Sequence, residues 1–346
     1  MTRIGIAGAG FGASIHLPAL RRIAGVEVVA LGGRDTQKTT ALANRLQVQH
    51  AVSLDGLLEL PLDALTIALP PDLNAQLASR AIARGLPVLC EKPLAATAAE
   101  ADALAESARG CVTAMGFQFA ELETFLQLKR VLAQPSTAIR SVQVFWRTFS
   151  HALKTRTWSW KTDRQRHGGV VNLFGSHVFY LLEWLLGPIG TLEASCSSRA
   201  TARLLPSPSL VPAEDTATIN GILESGIPFH IELCNAAEDR LTHRWRIEAQ
   251  AAVYTVESPP EQQLGGLSLT SQVGDLRQVL ALDEVPSGQD PRIAPFERLV
   301  RRFVEAVRAG TECRPDFADG ARVQRLLEAV AISAAGRGTS VRVSVQ

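Results

Sequence analysis

Short apolar runs alternate with helical patterns through the first 117 residues, and this alternation limits the possible folds more than any other feature. The apolar runs cover residues 3–8, 26–33, 63–71, 86–93 and 111–117. Continuous apolar strands that are joined by helices form right-handed βαβ units, and helices then cover both faces of a parallel sheet. The sequence therefore predicts a doubly wound α/β domain over residues 1–120.

A different pattern begins near residue 120. A helical pattern over 121–132 and a strand at 140–148 precede an apolar helix at 168–187. Further strand-like runs then follow one another with turn signals and without helices, at 191–200, 215–225, 228–237, 243–250 and 252–258. Such a succession indicates an antiparallel sheet. We expect residues 121–346 to form a second α/β domain with a mostly antiparallel open sheet, whose last helix (318–335) packs back on the first domain.

Composition excludes several classes of partner. The 346 residues are 46% hydrophobic and 20% charged with a net charge of +1, so no bulk attraction to nucleic acid or to an anionic membrane is expected. The five cysteines lack the CxxC spacing of a zinc site or the pattern of a disulfide framework, and we expect no metal. Cys90, Cys111 and Cys234 lie in apolar runs and are expected to be small buried hydrophobes.

Two segments bear on cellular location. The opening "MTRIGIAGAGFG" enters a strand and a glycine loop directly, unlike a signal peptide. Residues 168–187 are apolar enough to raise the question of a membrane span, but Asn172, His177 and Glu183 argue against a helix that faces lipid. We expect a cytoplasmic protein.

The segment "GIAGAGFGA" places Gly8-x-Gly10-x-x-Ala13 directly after a predicted strand and before a predicted helix. This is the context that a dinucleotide fingerprint requires. Gly8 permits the tight turn, Gly10 lets the backbone approach a pyrophosphate, and Ala13 allows the helix to pack closely on the strand. Phe11 and Gly12 complete the loop. The sequence thus predicts a Rossmann domain with the cofactor phosphates at a helix amino terminus.

The residue about 20 positions after the loop selects the cofactor, because an acid there binds the ribose of NAD and repels a 2′-phosphate. This chain has Gly33 and Arg34 at the end of the second strand, and the first acid is Asp35. Arg34 is either a solvated loop residue or a partner for a 2′-phosphate through its planar guanidinium. We expect NADP(H) to be preferred over NAD(H), and Gly33→Asp to favour NADH.

At "CEKPLA" (90–95), preceded by "IALPPDLNAQLASRAIARGLPVL", the chain resembles the glucose–fructose oxidoreductase / inositol dehydrogenase (Gfo/Idh/MocA) family over essentially its whole length. The resemblance implies oligomers formed through the second domain's sheet, and NAD(P)-dependent chemistry on sugars, polyols or related carbonyl compounds. It also implies that the lysine of the Glu-Lys-Pro motif, Lys92, points at the nicotinamide and the reacting oxygen. Cofactor contacts are expected from Leu69, Pro70, Asn74, Glu91 and Lys92.

The stretch "GGVVNLFGSHVFYLLEWLLG" aligns with the family pattern Gly-Gly-x-x-x-Asp-x-Gly-x-His. The aligned positions are Gly168, Gly169, Leu173, Gly175 and His177. Leu173 replaces the aspartate that normally orients the histidine, which favours the reductive direction or a substrate other than a simple polyol. On an α-helix Leu173, His177 and Tyr180 share one side, so His177 or Tyr180 is expected to transfer the proton. Candidate substrate contacts are Gln118, Trp160, Lys161, Asn172, Leu173 and His177.

These features together predict an NAD(P)-dependent oxidoreductase that moves hydride between nicotinamide and a carbonyl or carbinol carbon of a sugar-like or polyol substrate. Two alternatives stay open. Leu173 and the aromatic residues Trp158, Trp160 and Tyr180 would suit an imine or conjugated-ring reductase on the same fold. A non-catalytic dinucleotide-binding regulator is the other, although the presence of the motif lysine and histidine argues against it.

Overall fold

The computed structural model describes residues 1–134, 137–239, 241–262 and 264–343. The chain divides into two compact units. The first consists of Met1–Gln118 and Arg292–Gln324, and the second of Phe119–Pro291 and Arg325–Gln346. The predicted boundary near 120 agrees with the first of these breaks. Residues 292–324, which were predicted to belong to the second domain, are part of the first unit.

The strands in chain order are β1 (Thr2–Ala7), β2 (Val26–Gly32), β3 (His50–Val52), β4 (Ala64–Ile67), β5 (Val88–Cys90), β6 (Thr113–Met115), β7 (Ile139–Arg147), β8 (Ile189–Ser197), β9 (Thr216–Leu223), β10 (Pro228–Cys234), β11 (Thr242–Ala249), β12 (Val253–Glu257), β13 (Ser268–Val273), β14 (Leu276–Leu282) and β15 (Val341–Arg342). The α-helices are α1 (Leu17–Leu20), α2 (Thr36–Leu46), α3 (Leu54–Leu57), α4 (Pro71–Ile82), α5 (Ala98–Ser107), α6 (Glu123–Leu132), α7 (His151–Thr155), α8 (Ser176–Leu186), α9 (Ile293–Ala309) and α10 (Phe317–Ala335). The segments Gly12–His16 and Val171–Gly175 are π-helical, and short 3₁₀-helices cover Gln118–Glu121, Trp160–Thr162, Arg164–Arg166 and Thr201–Leu204.

The first unit is built on a parallel sheet with the strand order β3-β2-β1-β4-β5-β6. This is the doubly wound order, in which the direction of winding reverses between β1 and β4. The middle strands are buried on both faces, which is why they read as continuous apolar runs. All carboxyl ends meet at one edge of the sheet, where open α/β sheets bind their ligands.

Helix α9 completes the core of the first unit, although it comes late in the chain. Phe296, Leu299 and Phe303 are fully buried in one cluster with Ile4 of β1. Their spacing of three and four residues places them on one face of the helix. Helix α10 is divided between the units, since its residues up to Gln324 belong to the first unit and those from Arg325 to the second; its predicted packing on the first domain stays a prediction.

The second unit is built on a nine-stranded sheet in the order β14-β13-β12-β11-β7-β10-β9-β8-β15. β7 and β10 pair in parallel and the other neighbours are antiparallel, as predicted for the most part. Val142, Val144 and Trp146 of β7 are buried, because alternate residues of a strand point to one face. The opposite face carries charged pairs, among them Arg147 with Glu232 at 3.7 Å.

One stretch of the second unit has the length and composition of a membrane span. Within the described chain it covers residues 164–186, and its most apolar part has a mean hydropathy of 1.3. The core helix of a soluble protein has the same properties, and 61% of the most apolar part of this stretch is buried inside the protein. Its hydropathy is therefore weak support for a membrane span.

Candidate active site

The glycine loop after β1 is tight at Gly8 and open at Gly10. Gly8 has a φ of +116°, and a Cβ there would overlap the carbonyl oxygen of Ala68, so glycine is required. A Cβ on Gly10 would meet none of the described atoms within 4 Å. The backbone is therefore open where a pyrophosphate would approach, and the loop fits the phosphates of a dinucleotide.

The close contact between the loop and its strand falls on Gly12 and not, as predicted, on Ala13. A Cβ on Gly12 would lie 2.8 Å from Cγ2 of Ile6, whereas Ala13 is partly exposed. The helix begins with the π-helical segment Gly12–His16, and this wider winding changes which residue faces the strand.

The ring of Phe11 is used in packing. It lies edge-on to the rings of His16 and Phe296, with centroid distances of 5.6 and 6.4 Å. The guanidinium of Arg292 lies 5.3 Å from its centroid. The cofactor contact of Phe11 stays a prediction.

Position 33 is glycine because of a neighbouring side chain. A Cβ on Gly33 would overlap Oγ1 of Thr39, so Gly33→Asp displaces Thr39 and is a poor test of cofactor choice. Arg34 is exposed. Asp35 caps α2, accepting a hydrogen bond from the Lys38 backbone at 3.0 Å and pairing with the Lys38 ammonium at 3.1 Å. The backbone bond lowers the pKa of Asp35, and this acid is engaged by its own helix.

Asn74 connects the turn after β4 with the turn that carries Lys92. Its Oδ1 accepts a hydrogen bond from the backbone of Leu69 at 3.0 Å, and its Nδ2 donates to the carbonyls of Glu91 and Pro93 at 3.1 and 3.2 Å. Asn74 is fully buried and braces the two turns, and its predicted contact with the cofactor stays a prediction. Lys92 is half-buried at the carboxyl end of β5, between the two carbonyls that Asn74 holds.

Gln118 closes the first segment of the first unit and is 2% exposed. Its Oε1 is buried and accepts no hydrogen bond from the residues that the structure describes. Leaving such an oxygen without a partner costs about 1–3 kcal/mol. The amide of Gln118 is therefore suited to a ligand, in line with the predicted substrate contact.

In the second unit the predicted helix at 168–187 changes its winding. Val171–Gly175 is π-helical, and α8 follows it directly. The prediction assumed α-helical spacing, which Val171–Gly175 does not have, so a shared side for Leu173 and His177 stays a prediction. Within α8 the regular spacing holds, so His177 and Tyr180 lie on one side of the helix.

His177 and Tyr180 are both buried, with exposed fractions of 4% and 8%. The imidazole lies edge-on to the ring of Phe119 at 4.7 Å and tilted to Trp146 at 6.2 Å between centroids. Polar interactions are stronger in such apolar surroundings than in water. Either side chain can therefore orient a bound polar group firmly.

The paired glycines before this helix are required by close neighbours. A Cβ on Gly168 would overlap the backbone carbonyls of Trp160 and Lys161. Gly169 has a φ of +104°, and a Cβ there would overlap the carboxyl group of Glu214. Gly168 thus makes room for the backbone of the preceding loop, and Gly169 makes room for the Glu214 carboxyl group. A larger residue at either position would displace its neighbour.

Glu214 lies at the start of the helix. Its Oε1 accepts a hydrogen bond from the backbone of Val171 at 3.1 Å. Burial raises the pKa of Glu214 to about 7, and the charge of Asp215 acts in the same direction. Near neutral pH this carboxyl group is therefore divided between its protonated and its ionised form.

The remaining predicted substrate contacts have packing roles in the second unit. Nζ of Lys161 lies 5.9 Å from the ring centroid of Trp160. The amide nitrogen of Asn172 donates to the carbonyls of His167 and Gly168 at 3.1 and 3.3 Å. These bonds hold the loop before the helix, and a substrate contact from any of the three side chains stays a prediction.

Two models of one protein family match the chain. The "Oxidoreductase family, NAD-binding Rossmann fold" model matches residues 2–117, and the "Oxidoreductase family, C-terminal alpha/beta domain" model matches residues 138–343. The chain belongs to the Gfo/Idh/MocA family. The predicted family and fold are confirmed, and with them an NAD-binding oxidoreductase.

Individual members of the Gfo/Idh/MocA family give the same picture. The uncharacterized oxidoreductase sll0816 of Synechocystis sp. is 29% identical over 342 residues, which cover 94% of this chain and 92% of that protein. Inositol 2-dehydrogenase 1 of Saccharopolyspora erythraea is 37% identical over 102 residues, 28% of this chain and 30% of its own length. The chain likewise spans about half or less of several other curated relatives.

Among solved structures, a levoglucosan dehydrogenase in complex with NADH and L-sorbose superposes with a TM-score of 0.87 at 18% identity, covering 100% of this chain and 99% of that one. An oxidoreductase domain protein from Kribbella flavida gives a TM-score of 0.85 at 22% identity, with both chains covered completely. At these identities the likeness establishes the Gfo/Idh/MocA fold.

The predicted cofactor residues of this Gfo/Idh/MocA protein all lie in the first unit, at the carboxyl ends of β1, β2, β4 and β5. Lys92 and Gln118 belong to the same unit, whereas Trp160, His177 and Tyr180 belong to the second. Two buried contacts of predicted or neighbouring residues were missed from the sequence. His16 faces Glu91, 75 positions away, and Glu214 faces Val171, 43 positions away; a local pattern carries no signal of such pairs.

Proposed function

We propose that this protein is a cytoplasmic, NADP(H)-preferring oxidoreductase that acts on a carbonyl or carbinol carbon of a sugar-like or polyol substrate. One observation carries the proposal: Lys92 lies at the carboxyl end of β5 in a turn that Asn74 fastens to the turn after β4, in the same unit as the glycine loop. The names of relatives, a levoglucosan dehydrogenase and an inositol dehydrogenase, support the substrate class.

A bound dinucleotide would supply the hydride or accept it. Lys92 has a complementary task, because an ammonium group that is held in place can donate a hydrogen bond to the substrate oxygen and stabilise the negative charge that develops there. For the proton transfer of the reaction we propose His177 or Tyr180 of the second unit. Gln118, whose buried Oε1 accepts no bond from the described residues, is assigned to a substrate hydroxyl.

The preference for NADP(H) depends on Arg34. It is exposed directly after Gly33, and Asp35 is engaged by α2. A hydrogen bond to a charged group contributes about 1.5–3 kcal/mol, or roughly a factor of ten or more in affinity. We expect Arg34→Glu to weaken NADPH by at least this factor and to leave NADH nearly unchanged. Arg45→Glu, on the exposed part of α2, is the matched control.

Cofactor binding is measured by fluorescence titration of NADPH and NADH. Equal affinities in the wild-type protein, or an Arg34→Glu variant that weakens both cofactors alike, would show that Arg34 does not select the cofactor. NADH would then be the natural cofactor, as in the structural neighbours that bind it.

The substrate class is tested with a panel of sugars, keto-sugars, polyols and cyclic imines, followed by the absorbance of reduced nicotinamide. We expect turnover with a sugar-like compound, and Lys92→Ala should bind the dinucleotide normally but lose most turnover. Full turnover by Lys92→Ala would limit the lysine to a structural role. Absence of turnover on the whole panel would favour a non-catalytic dinucleotide-binding regulator.

A second candidate is an imine or conjugated-ring reductase. It is favoured by Leu173, which is partly exposed and stands at the aspartate position of the family pattern, and by the aromatic rings against His177. Less polar surroundings suit a less polar substrate. Turnover of cyclic imines that exceeds turnover of every sugar in the panel would decide for this reaction.

We also propose that the protein forms homo-oligomers through the sheet of the second unit. The hairpin of β13 and β14 exposes apolar side chains on one face, with Leu276 at 80% and its cross-strand partner Val273 at 54%. Exposed apolar groups of this kind mark interaction surfaces when they are contiguous. Light scattering should give a mass above that of the monomer, and Leu276→Lys with Val273→Lys should lower it; a monomeric wild-type protein would contradict the proposal.

A further inference from the structure

A buried pair in the first unit has no part in the mechanism above. His16 ends the π-helical segment Gly12–His16, directly after the glycine loop, and is fully buried. Its Nε2 lies 3.3 Å from Oε1 of Glu91, the residue before Lys92. This contact joins the loop that receives the cofactor phosphates to the turn that carries the lysine.

The plane of the His16 ring is fixed by neighbouring rings. It stacks on Phe296 with a centroid distance of 4.2 Å and an interplanar angle of 16°. Phe11 of the glycine loop contacts it edge-on at 5.6 Å. The other ring nitrogen, Nδ1, is buried and makes no hydrogen bond to the described residues. Stacking therefore sets the ring orientation, and the hydrogen bond to Glu91 is its polar contact.

Glu91 is held from the other sides as well. It is 6% exposed, and a Cβ on Gly116 would overlap its carboxyl group, so the glycine makes room for this carboxyl. Its backbone N–H donates to the carbonyl of Ile67 at 2.8 Å, and its own carbonyl accepts from Asn74. A buried carboxyl group that loses its partner is costly, so the His16 contact decides whether this arrangement is maintained.

We propose that His16 is a positioning residue for Lys92. Through its contact with Glu91, His16 fixes the turn that carries Lys92 and so holds the ammonium group at a constant position relative to the glycine loop. The inference rests on the proposed catalytic function of Lys92. It adds a specific atom, Nε2 of His16, on which the geometry of that lysine depends. Displacing a reacting group by about 1 Å can cost about 10²-fold in rate, so a histidine that does not touch substrate can still govern turnover.

The test uses two variants that differ only in reach. A glutamine side chain places an amide nitrogen near the Nε2 position of histidine, whereas an asparagine places it near Nδ1. His16→Gln therefore keeps a donor for Glu91, and His16→Asn does not. His16→Phe, which preserves the stacking on Phe296 and removes the donor, replaces His16→Asn if that variant does not fold.

Lys92 can be observed directly because the sequence has five lysines. Reductive methylation with ¹³C-formaldehyde gives one dimethylamine NMR signal for each, and Lys92→Arg identifies the signal of Lys92. We expect His16→Asn to move this signal and to leave the other four in place, and His16→Gln to restore it. NADH affinity by fluorescence and kcat and KM on a substrate from the panel complete the set, with kcat falling roughly 10- to 100-fold in His16→Asn and KM changing less.

An unmoved Lys92 signal in a folded His16→Asn or His16→Phe protein would overturn the proposal, as would equal effects of His16→Gln and His16→Asn on signal and kcat. The NMR result does not depend on turnover. A Lys92 signal that follows His16, together with full activity of Lys92→Ala, would support the positioning role and refute the catalytic role proposed for the lysine.

Discussion

Replacing Glu214 by glutamine should make the protein's stability less dependent on pH. Burial raises the pKa of Glu214 to about 7 from an ordinary value of 4.5, so the folded state holds a proton that the unfolded state releases. Stability falls with pH wherever the folded state binds more protons. Glu214 therefore does not lower the free energy of unfolding below about pH 4.5. As pH rises from there toward 7 it lowers this free energy increasingly, and above about pH 7 the loss is constant.

The structure also sets the size of the effect. At 1.36 kcal/mol per pKa unit, the difference between about 7 and 4.5 corresponds to about 3 kcal/mol. Solvent that reaches this partly exposed side chain reduces the value, so 3 kcal/mol is an upper limit. Since about 1 kcal/mol shifts Tm by roughly 2–4 °C for a domain of this size, the Tm difference between variant and wild type should grow by up to about 6–12 °C between pH 4.5 and 7.5.

The assay is the Tm of wild type, Glu214→Gln and a control, Glu27→Gln, measured by calorimetry across this pH range. Glutamine keeps an oxygen that can accept the hydrogen bond from Val171, so any cost of the exchange itself is the same at every pH. Glu27 is exposed on β2, and its exchange should leave the pH dependence unaltered. Parallel Tm curves for wild type and Glu214→Gln would refute the reasoning.

Three further outcomes are expected. If His177 transfers the proton, His177→Ala should slow turnover by roughly 10²- to 10⁴-fold and Tyr180→Phe should have little effect; the reverse order in steady-state rates would assign the proton to Tyr180. Gly33→Ala should lower Tm because its Cβ overlaps Thr39 Oγ1, and should cost less in a Thr39→Ala background; equal costs would contradict the overlap. Gln118→Leu should raise the free energy of unfolding by about 1–3 kcal/mol, because a buried oxygen without a partner is removed, while it raises KM; urea titration and kinetics measure both, and a less stable variant would show that the oxygen is satisfied.

Much of the fold could be predicted because its strands are apolar on both faces or on alternate residues. β1, β2, β4 and β5 were found this way, whereas β3 has only three residues, too few to establish a period. The hairpin of β13 and β14 was also missed, since the residues of β14 are largely exposed and carry no alternation. The residues of helix α9 were assigned to the second domain with the rest of 121–346, because an apolar face does not reveal what covers it.

The candidate site was predictable where a motif fixed the positions, at Gly8, Gly10 and Lys92. It was not predictable where the winding of a helix, or a contact between residues far apart in the sequence, determines the position of a side chain. A π-helical turn has the same composition as an α-helical one, so the sequence could not reveal the change of winding over Val171–Gly175. Nor could it reveal that Asn74 braces two turns, since its partners lie as far as 19 positions away.

The late arrival of α9 in the chain bears on how the protein is made. Ile4 in β1 shares its core cluster with Val304 in α9, so the first segment to leave the ribosome lacks one wall of its core until the last part of the chain follows. Domains commonly fold during synthesis at about 5–20 residues per second, so the roughly 190 residues between Gln118 and Val304 correspond to a delay of roughly 10–40 s. During that interval the apolar surface of β1 and its neighbours is exposed to solvent. A chaperone that recognises apolar segments of nascent chains would bind to this surface.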